Sequence, residues 1–319
     1  MGSSSASAEC LRAILREESL EVVGVVTKPD RPVGRGKVLT PCPLAKFAEQ
    51  NALSEIIKPE SVNSDEAMAR IRAWAPDVIA VVAYGQILKA PLLDLPPHGC
   101  VNCHFSLLPK YRGAAPVIAA LEAGDRMTGV TVMHMGIGLD DGPIMLQGYE
   151  PIYPDTTGGA LMDDLSIAGG VALAKALRLM AQNALPPEVP QQHDQATYVK
   201  KLHKTDGLII WDSPVLEIER KIRAYNPWPG SFTFLPERFR KKGNSGRLVV
   251  NRAKIVKPEP GWENVHPGVI VKLEKNGPVV KCHDTALLLT EVKPEGSSMM
   301  DGGSFLRGRP LKPFEDSFL

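Results

Sequence analysis

Apolar positions in the first 180 residues alternate between two periods. Residues 21–26 (EVVGVV) and 77–83 (DVIAVVA) are short, β-branched and nearly continuous, as strands buried on both faces are. Residues 99–102 and 129–135 (GVTVMHM) predict two further strands. Between them the apolar positions fall at helical spacing. Leu11, Ile14 and Leu15 stand among Arg12, Arg16, Glu17 and Glu18, and residues 65–74 form a second amphipathic segment that Pro76 ends. The longest helical pattern covers residues 156–182, weakened by the pair Gly169-Gly170. This alternation predicts an α/β domain: a doubly wound, mostly parallel Rossmann-like sheet with helices on both faces.

After residue 185 the pattern changes. Residues 186–195 (PPEVPQQHDQ) are rich in Pro and Gln and have no period, which predicts a linker. One helix is expected over 213–224. Short strands then follow at 247–251, 268–273, 279–282 and 286–290, divided by Gly, Pro and Asn. That order predicts a small β-barrel of the OB type. The expected organisation is a catalytic domain over 1–185, a linker over 186–205 and a barrel domain over 206–319.

Composition changes this picture at three points. Net charge is only +1, but residues 196–319 hold 21 Lys and Arg against 14 Asp and Glu, while residues 1–195 hold 16 against 22. A basic back half suits a polyanionic partner. Five cysteines are an odd set for a disulfide framework. Cys100-Val101-Asn102-Cys103 is a CxxC without the second pair that a zinc ribbon needs, so no metal is expected. The apolar runs are too short to span a bilayer and none has the layout of a secretion signal, so a cytoplasmic protein is expected, with a monomer as the default.

The stretch richest in chemistry is Asn102-Cys103-His104-Phe105-Ser106-Leu107-Leu108-Pro109, directly after a predicted strand. Ligands of doubly wound folds collect at the carboxyl ends of strands. Asn102 and His104 are two apart, so extended backbone turns both side chains to one face. An amide donor beside an imidazole is suited to a developing oxyanion and to proton transfer. Leu139-Asp140-Asp141-Gly142-Pro143 adds carboxylates in a turn after the GVTVMHM strand, and one of them near His104 would hold its tautomer.

These residues, N-x-H-x-S-L-L-P followed 36 positions after the His by L-D-x-G, resemble the signature of the folate-dependent formyltransferases. The resemblance implies a catalytic Asn, His and Asp triad, here Asn102, His104 and Asp140. It also implies 10-formyltetrahydrofolate as donor, held along Ser106, Leu107, Leu108 and Pro109, at Tyr84 and Gly85 of the Ala83-Tyr84-Gly85-Gln86 turn, and near Asp141. Two loops narrow the branch. Arg112-Gly113-Ala114-Ala115-Pro116, and the run from Lys28 to Lys37 with its Gly34-Arg35-Gly36-Lys37, resemble the members that formylate methionyl initiator tRNA. Two glycines and four cations in one loop form a phosphate-gripping element. Arg31, Arg35, Lys37 and Arg112 are therefore expected on the tRNA, with Arg35 at its acceptor end. Ala224-Tyr225-Asn226-Pro227-Trp228-Pro229-Gly230 resembles a signature that opens the family's C-terminal domain. The triad alone leaves open an amino-sugar formyltransferase, a formyltetrahydrofolate hydrolase, or an impaired homologue that only binds tRNA.

One departure stands out. The family opens with an apolar strand running into a Gly-Thr-Pro-x-Phe-Ala turn, whereas Gly2-Ser3-Ser4-Ser5-Ala6-Ser7 already stands at the place of that turn. An interior strand is thus expected to be missing, with truncation as the preferred explanation, and the sheet is expected to be open where it would lie.

Overall fold

The computed structural model describes residues 1–34, 36–240 and 243–319. The chain forms two compact units. Unit 1 comprises Met1–Pro116, Arg126–Ile152 and Leu161–Lys200; unit 2 comprises Val117–Asp125, Tyr153–Ala160 and Lys201–Leu319.

Unit 1 begins with α1 (Ser5–Ile14). Ser4 caps it by accepting from the Ser7 N–H, and the Ser7 hydroxyl in turn accepts from the Ser4 N–H. There follow β1 (Val25–Val26), the hairpin β2 (Arg31–Val33) and β3 (Val38–Thr40), α2 (Pro43–Gln50), β4 (Ile56–Ile57), α3 (Asp65–Ala73) and β5 (Ile79–Val81). Next in chain order come α4 (Ala90–Leu93), β6 (Cys100–His104), β7 (Arg112–Gly113), α5 (Pro116–Ala123), which belongs to unit 2 from Val117 on, β8 (Met127–His134), β9 (Ile144–Pro151), the long α6 (Gly158–Ala181) and β10 (Tyr198–Val199). Strand alternation puts helices on both faces. Val25 packs with Leu11, Leu44 and Phe47, while its neighbour Val26 packs with Met68, Ile71 and Ile79. The CxxC is divided in the same way: the Cys100 thiol donates to carbonyls of α4 and that of Cys103 to Gly169 of α6.

The sheet is mixed. β1 pairs parallel with β4 and β5 parallel with β6, as expected, but β6–β8 and β8–β9 are antiparallel. The connection over 135–143 is too short for the crossover that a parallel β8–β9 pair would require. Gly169-Gly170 does not interrupt α6. The helix comes so close to its neighbours that a Cβ on Gly169 would lie 2.9 Å from Cys103 Sγ and one on Gly170 3.2 Å from the Glu9 carbonyl.

Between β1 and β5 the sheet is open. Met1 and Gly2 fill only the end of this position: Gly2 N–H donates to Val26 O at 3.0 Å, Val82 N–H to Met1 O at 2.9 Å, and the Met1 ammonium to Ala80 O at 2.6 Å. The remainder is a cavity of about 160 Å³, lined by apolar side chains such as Leu11, Val25, Trp74, Ile79 and Leu173.

Unit 2 holds α7 (Val215–Ala224), β11 (Phe232–Phe234), β12 (Arg247–Val256), β13 (Ile270–Glu274), β14 (Gly277–Lys281), β15 (Ala286–Pro294), β16 (Met300–Asp301) and α8 (Gly302–Arg307). The strands form one curled antiparallel sheet in the order β11-β12-β15-β14-β13, with β16 on β15 and a bulge in β12 between Val250 and Arg252. Its core joins Ile218 and Ile222 of α7 to Leu248, Ile270, Leu287 and Phe305.

Candidate active site

Asn102 and His104 end β6: Asn102 is paired with Val81 of β5 on one side and Met133 of β8 on the other, and His104 with Thr131 of β8. His104 is 6% exposed. Its Nε2 lies 2.9 Å from the Tyr111 carbonyl, a pure acceptor, so this nitrogen carries a hydrogen and donates it. The other ring nitrogen, Nδ1, faces Asp140 Oδ2 at 3.7 Å. Asp140 Oδ2 also accepts from the Gly113 N–H at 2.8 Å. His104 and Asp140 are thus brought together, and Asn102 shares the His104 face of the strand. Among the described residues none hydrogen-bonds the Asn102 side chain, which leaves its N–H groups available to an incoming oxygen.

Asp140 holds a left-handed backbone, φ 50°. For a residue with a Cβ this costs on the order of 1–3 kcal/mol and persists only where the surroundings impose it. Gly113 has φ 112°, and a Cβ there would run into the Val199 carbonyl. Only glycine lets β7 pass so close to β10 while offering its N–H to Asp140.

The loop after His104 is held from beneath. Thr131 Oγ1 donates to Ser106 O at 2.7 Å and accepts from Leu108 N–H at 3.1 Å; Gln147 Nε2 donates to Leu108 O at 3.0 Å. The Leu108-Pro109 peptide is cis. Ser106, expected at the donor, is fully buried, its hydroxyl donating to Lys110 O at 2.6 Å and its carbonyl taken by Thr131. Leu108 is buried too, whereas Leu107 and Pro109 are partly exposed. Tyr84 is 2% exposed, its ring inside the apolar cluster of α3 and α4, and burial pushes its hydroxyl up to about 12. Gly85 adopts φ 71°, and the space a Cβ would take is occupied by Lys28 Nζ. Asp141 folds its carboxylate back over Gly138.

The four cations expected on tRNA separate. Arg31 and Lys37 are exposed on the β2–β3 hairpin, Arg31 in a solvent-facing pair with Glu60 at 2.8 Å. Arg35 lies outside the described residues. Arg112 does not face solvent as expected: it is 2% exposed, and its fork donates from Nε and Nη2 to Gln191 Oε1 at 3.1 and 2.7 Å. Its Nη1 reaches Tyr198 Oη at 3.3 Å. A guanidinium buried in this way needs such partners, and they come from the segment expected to be a linker. That segment packs on unit 1, through mutual Ile144–Val189 hydrogen bonds and the β7–β10 pairing.

An amide, a buried imidazole and a carboxylate on one sheet end have the chemistry that acyl transfer between nitrogens calls for. Comparison with known proteins agrees. The family model "Formyl transferase" matches residues 1–177 and "Formyl transferase, C-terminal domain" residues 201–310. The methionyl-tRNA formyltransferase of Symbiobacterium thermophilum is 42% identical over 310 residues, covering 97% of this chain and 91% of that one. That of Magnetococcus marinus is 40% identical over 294 residues, 92% and 89% of the two chains. Among solved structures, the sugar 3N-formyl transferase WlaRD aligns with a TM-score of 0.61 at 17% identity over 93% of this chain and 97% of its own, a likeness of fold. The chain belongs to the methionyl-tRNA formyltransferase family.

Proposed function

We propose that the protein transfers the formyl group of 10-formyltetrahydrofolate to the amino group of methionyl initiator tRNA, with Asn102, His104 and Asp140 as its catalytic residues. The observation that carries this reading is the buried His104 ring, held at Nε2 by Tyr111 O and faced at Nδ1 by Asp140 Oδ2. The acceptor's neutral amine attacks the formyl carbon, and the carbonyl oxygen becomes an oxyanion that the Asn102 amide receives. The new C–N bond forms to methionine and the old one to the folate nitrogen breaks. One proton leaves the attacking amine and one reaches the departing nitrogen, with His104 Nδ1 the ring position placed to carry it and Asp140 to orient the ring.

In this reading the donor lies along 106–109 and the Tyr84-Gly85 turn, with Asp141 at the same edge. Tyr84 and Ser106 support this wall from behind, since both residues are buried. Arg31, Arg35 and Lys37 bring the acceptor end of the tRNA in from the exposed hairpin. The curled sheet of unit 2 is an OB-like barrel whose positive charge supports tRNA binding, and the boundaries 1–185, 186–205 and 206–319 divide catalytic domain, linker and tRNA-binding domain. The protein works as a cytoplasmic monomer.

The test is incubation with 10-formyltetrahydrofolate and either methionyl initiator tRNA, an amino-sugar nucleotide or no acceptor. Formylmethionyl-tRNA is the expected product. Formate release without an acceptor, or formylation of the sugar alone, would overturn the assignment.

A further inference from the structure

Gln191 lies in the Pro- and Gln-rich stretch that reads as a linker, yet it is 6% exposed. Every hydrogen-bonding position of its amide is used. Oε1 accepts from Arg112 Nε at 3.1 Å and Nη2 at 2.7 Å. Nε2 donates to Asp140 O at 2.9 Å and Gly142 O at 2.8 Å. The orientation of the amide follows from these partners, since guanidinium groups only donate and carbonyls only accept.

These four bonds join the turn that carries Asp140 to β7. Arg112 belongs to β7, whose next residue, Gly113, donates to the Asp140 carboxylate. Asp140 and Gly142 bracket the turn in which Asp140 is left-handed. Drawing both carbonyls onto one nitrogen sets the pitch of that turn, and the pitch aims the Asp140 carboxylate at His104 Nδ1. We propose that Gln191 is a positioning residue: through the Asp140 and Gly142 carbonyls it holds Asp140 in register with His104. Arg112 serves the same end from beneath, by fixing the Gln191 oxygen. The proposal rests on the reading of Asp140 as catalytic.

Glutamate at 191 separates the two halves of the amide. Gln191→Glu keeps an oxygen for Arg112, and so keeps the segment anchored, but turns oxygen toward two carbonyls in place of N–H. Gln191→Ala removes both halves. Each variant is compared with wild type by steady-state formylation of methionyl initiator tRNA, alone and in an Asp140→Asn background, with the thermal midpoint recorded to show that it folds. Both are expected to lower kcat on the order of 10²-fold, the scale of an ångström-sized misplacement, with KM for donor and tRNA changed by less than about threefold. In the Asp140→Asn background the same changes are expected to add less than about threefold, because the group being positioned is already gone.

A wild-type kcat for Gln191→Glu, beside a strong loss in Asp140→Asn, would overturn the positioning role and leave the triad standing. So would an equal, additive loss in both backgrounds, the mark of a merely structural residue. Asp140→Asn at the wild-type rate would instead remove the underlying reading, and the proposal with it.

Discussion

Replacing His104 with alanine should lower the formylation rate by about 10³-fold or more, at the upper end of what single acid–base and oxyanion groups contribute. The ring is buried, its Nε2–H is committed to the Tyr111 carbonyl, and only Nδ1 remains to exchange a proton beside Asp140. No other imidazole reaches this strand end among the described residues: His134 is turned to Glu188 and the His98 carbonyl. The substitution also removes the hydrogen bond to the Tyr111 carbonyl, at a cost of about 0.5–1.5 kcal/mol. Rates should therefore be compared under conditions where a folding assay shows both proteins native. A variant retaining more than a tenth of the wild-type rate would remove His104 from the mechanism.

Asn102→Ala should cost about 10²–10³ in kcat, the usual effect of deleting one preorganised donor to an oxyanion. Asn102→Asp is the sharper comparison. The shape is kept, but the donor becomes a carboxylate that repels the developing negative charge, so it should be at least as slow as the alanine variant. Single-turnover kinetics with saturating donor and tRNA separate this from weakened binding. An aspartate variant faster than the alanine variant would mean that the amide does not meet the oxyanion.

Much of this architecture was legible in the apolar pattern. The helix expected over 65–74 is Asp65–Ala73, and the strand expected over 129–135 is Met127–His134. In the back half each expected strand lies within a longer observed one or overlaps it, as 247–251 lies within Arg247–Val256. Residues 21–26 reduce to Val25–Val26, the two residues that pair with Ile56 and Ile57 of β4. Asn102, His104 and Asp140 were singled out by their resemblance to the formyltransferase signature, and the fold brings the last two face to face. Gln191 could not be found that way. It stands 51 residues from Asp140, in a stretch whose composition reads as solvent-exposed, and only the fold brings its amide to the turn. Arg112 misled for a related reason: a cation in a basic loop signals a phosphate, and nothing in its sequence neighbours shows that its fork is turned inward.

The place where α6 crosses β6 matters for how the protein is handled. Gly169 sits so near Cys103 that a methyl group would not fit between them, and its carbonyl receives the Cys103 thiol. Alkylating reagents should therefore leave Cys103 unlabelled in the native protein and mark it only once the helix has lifted away.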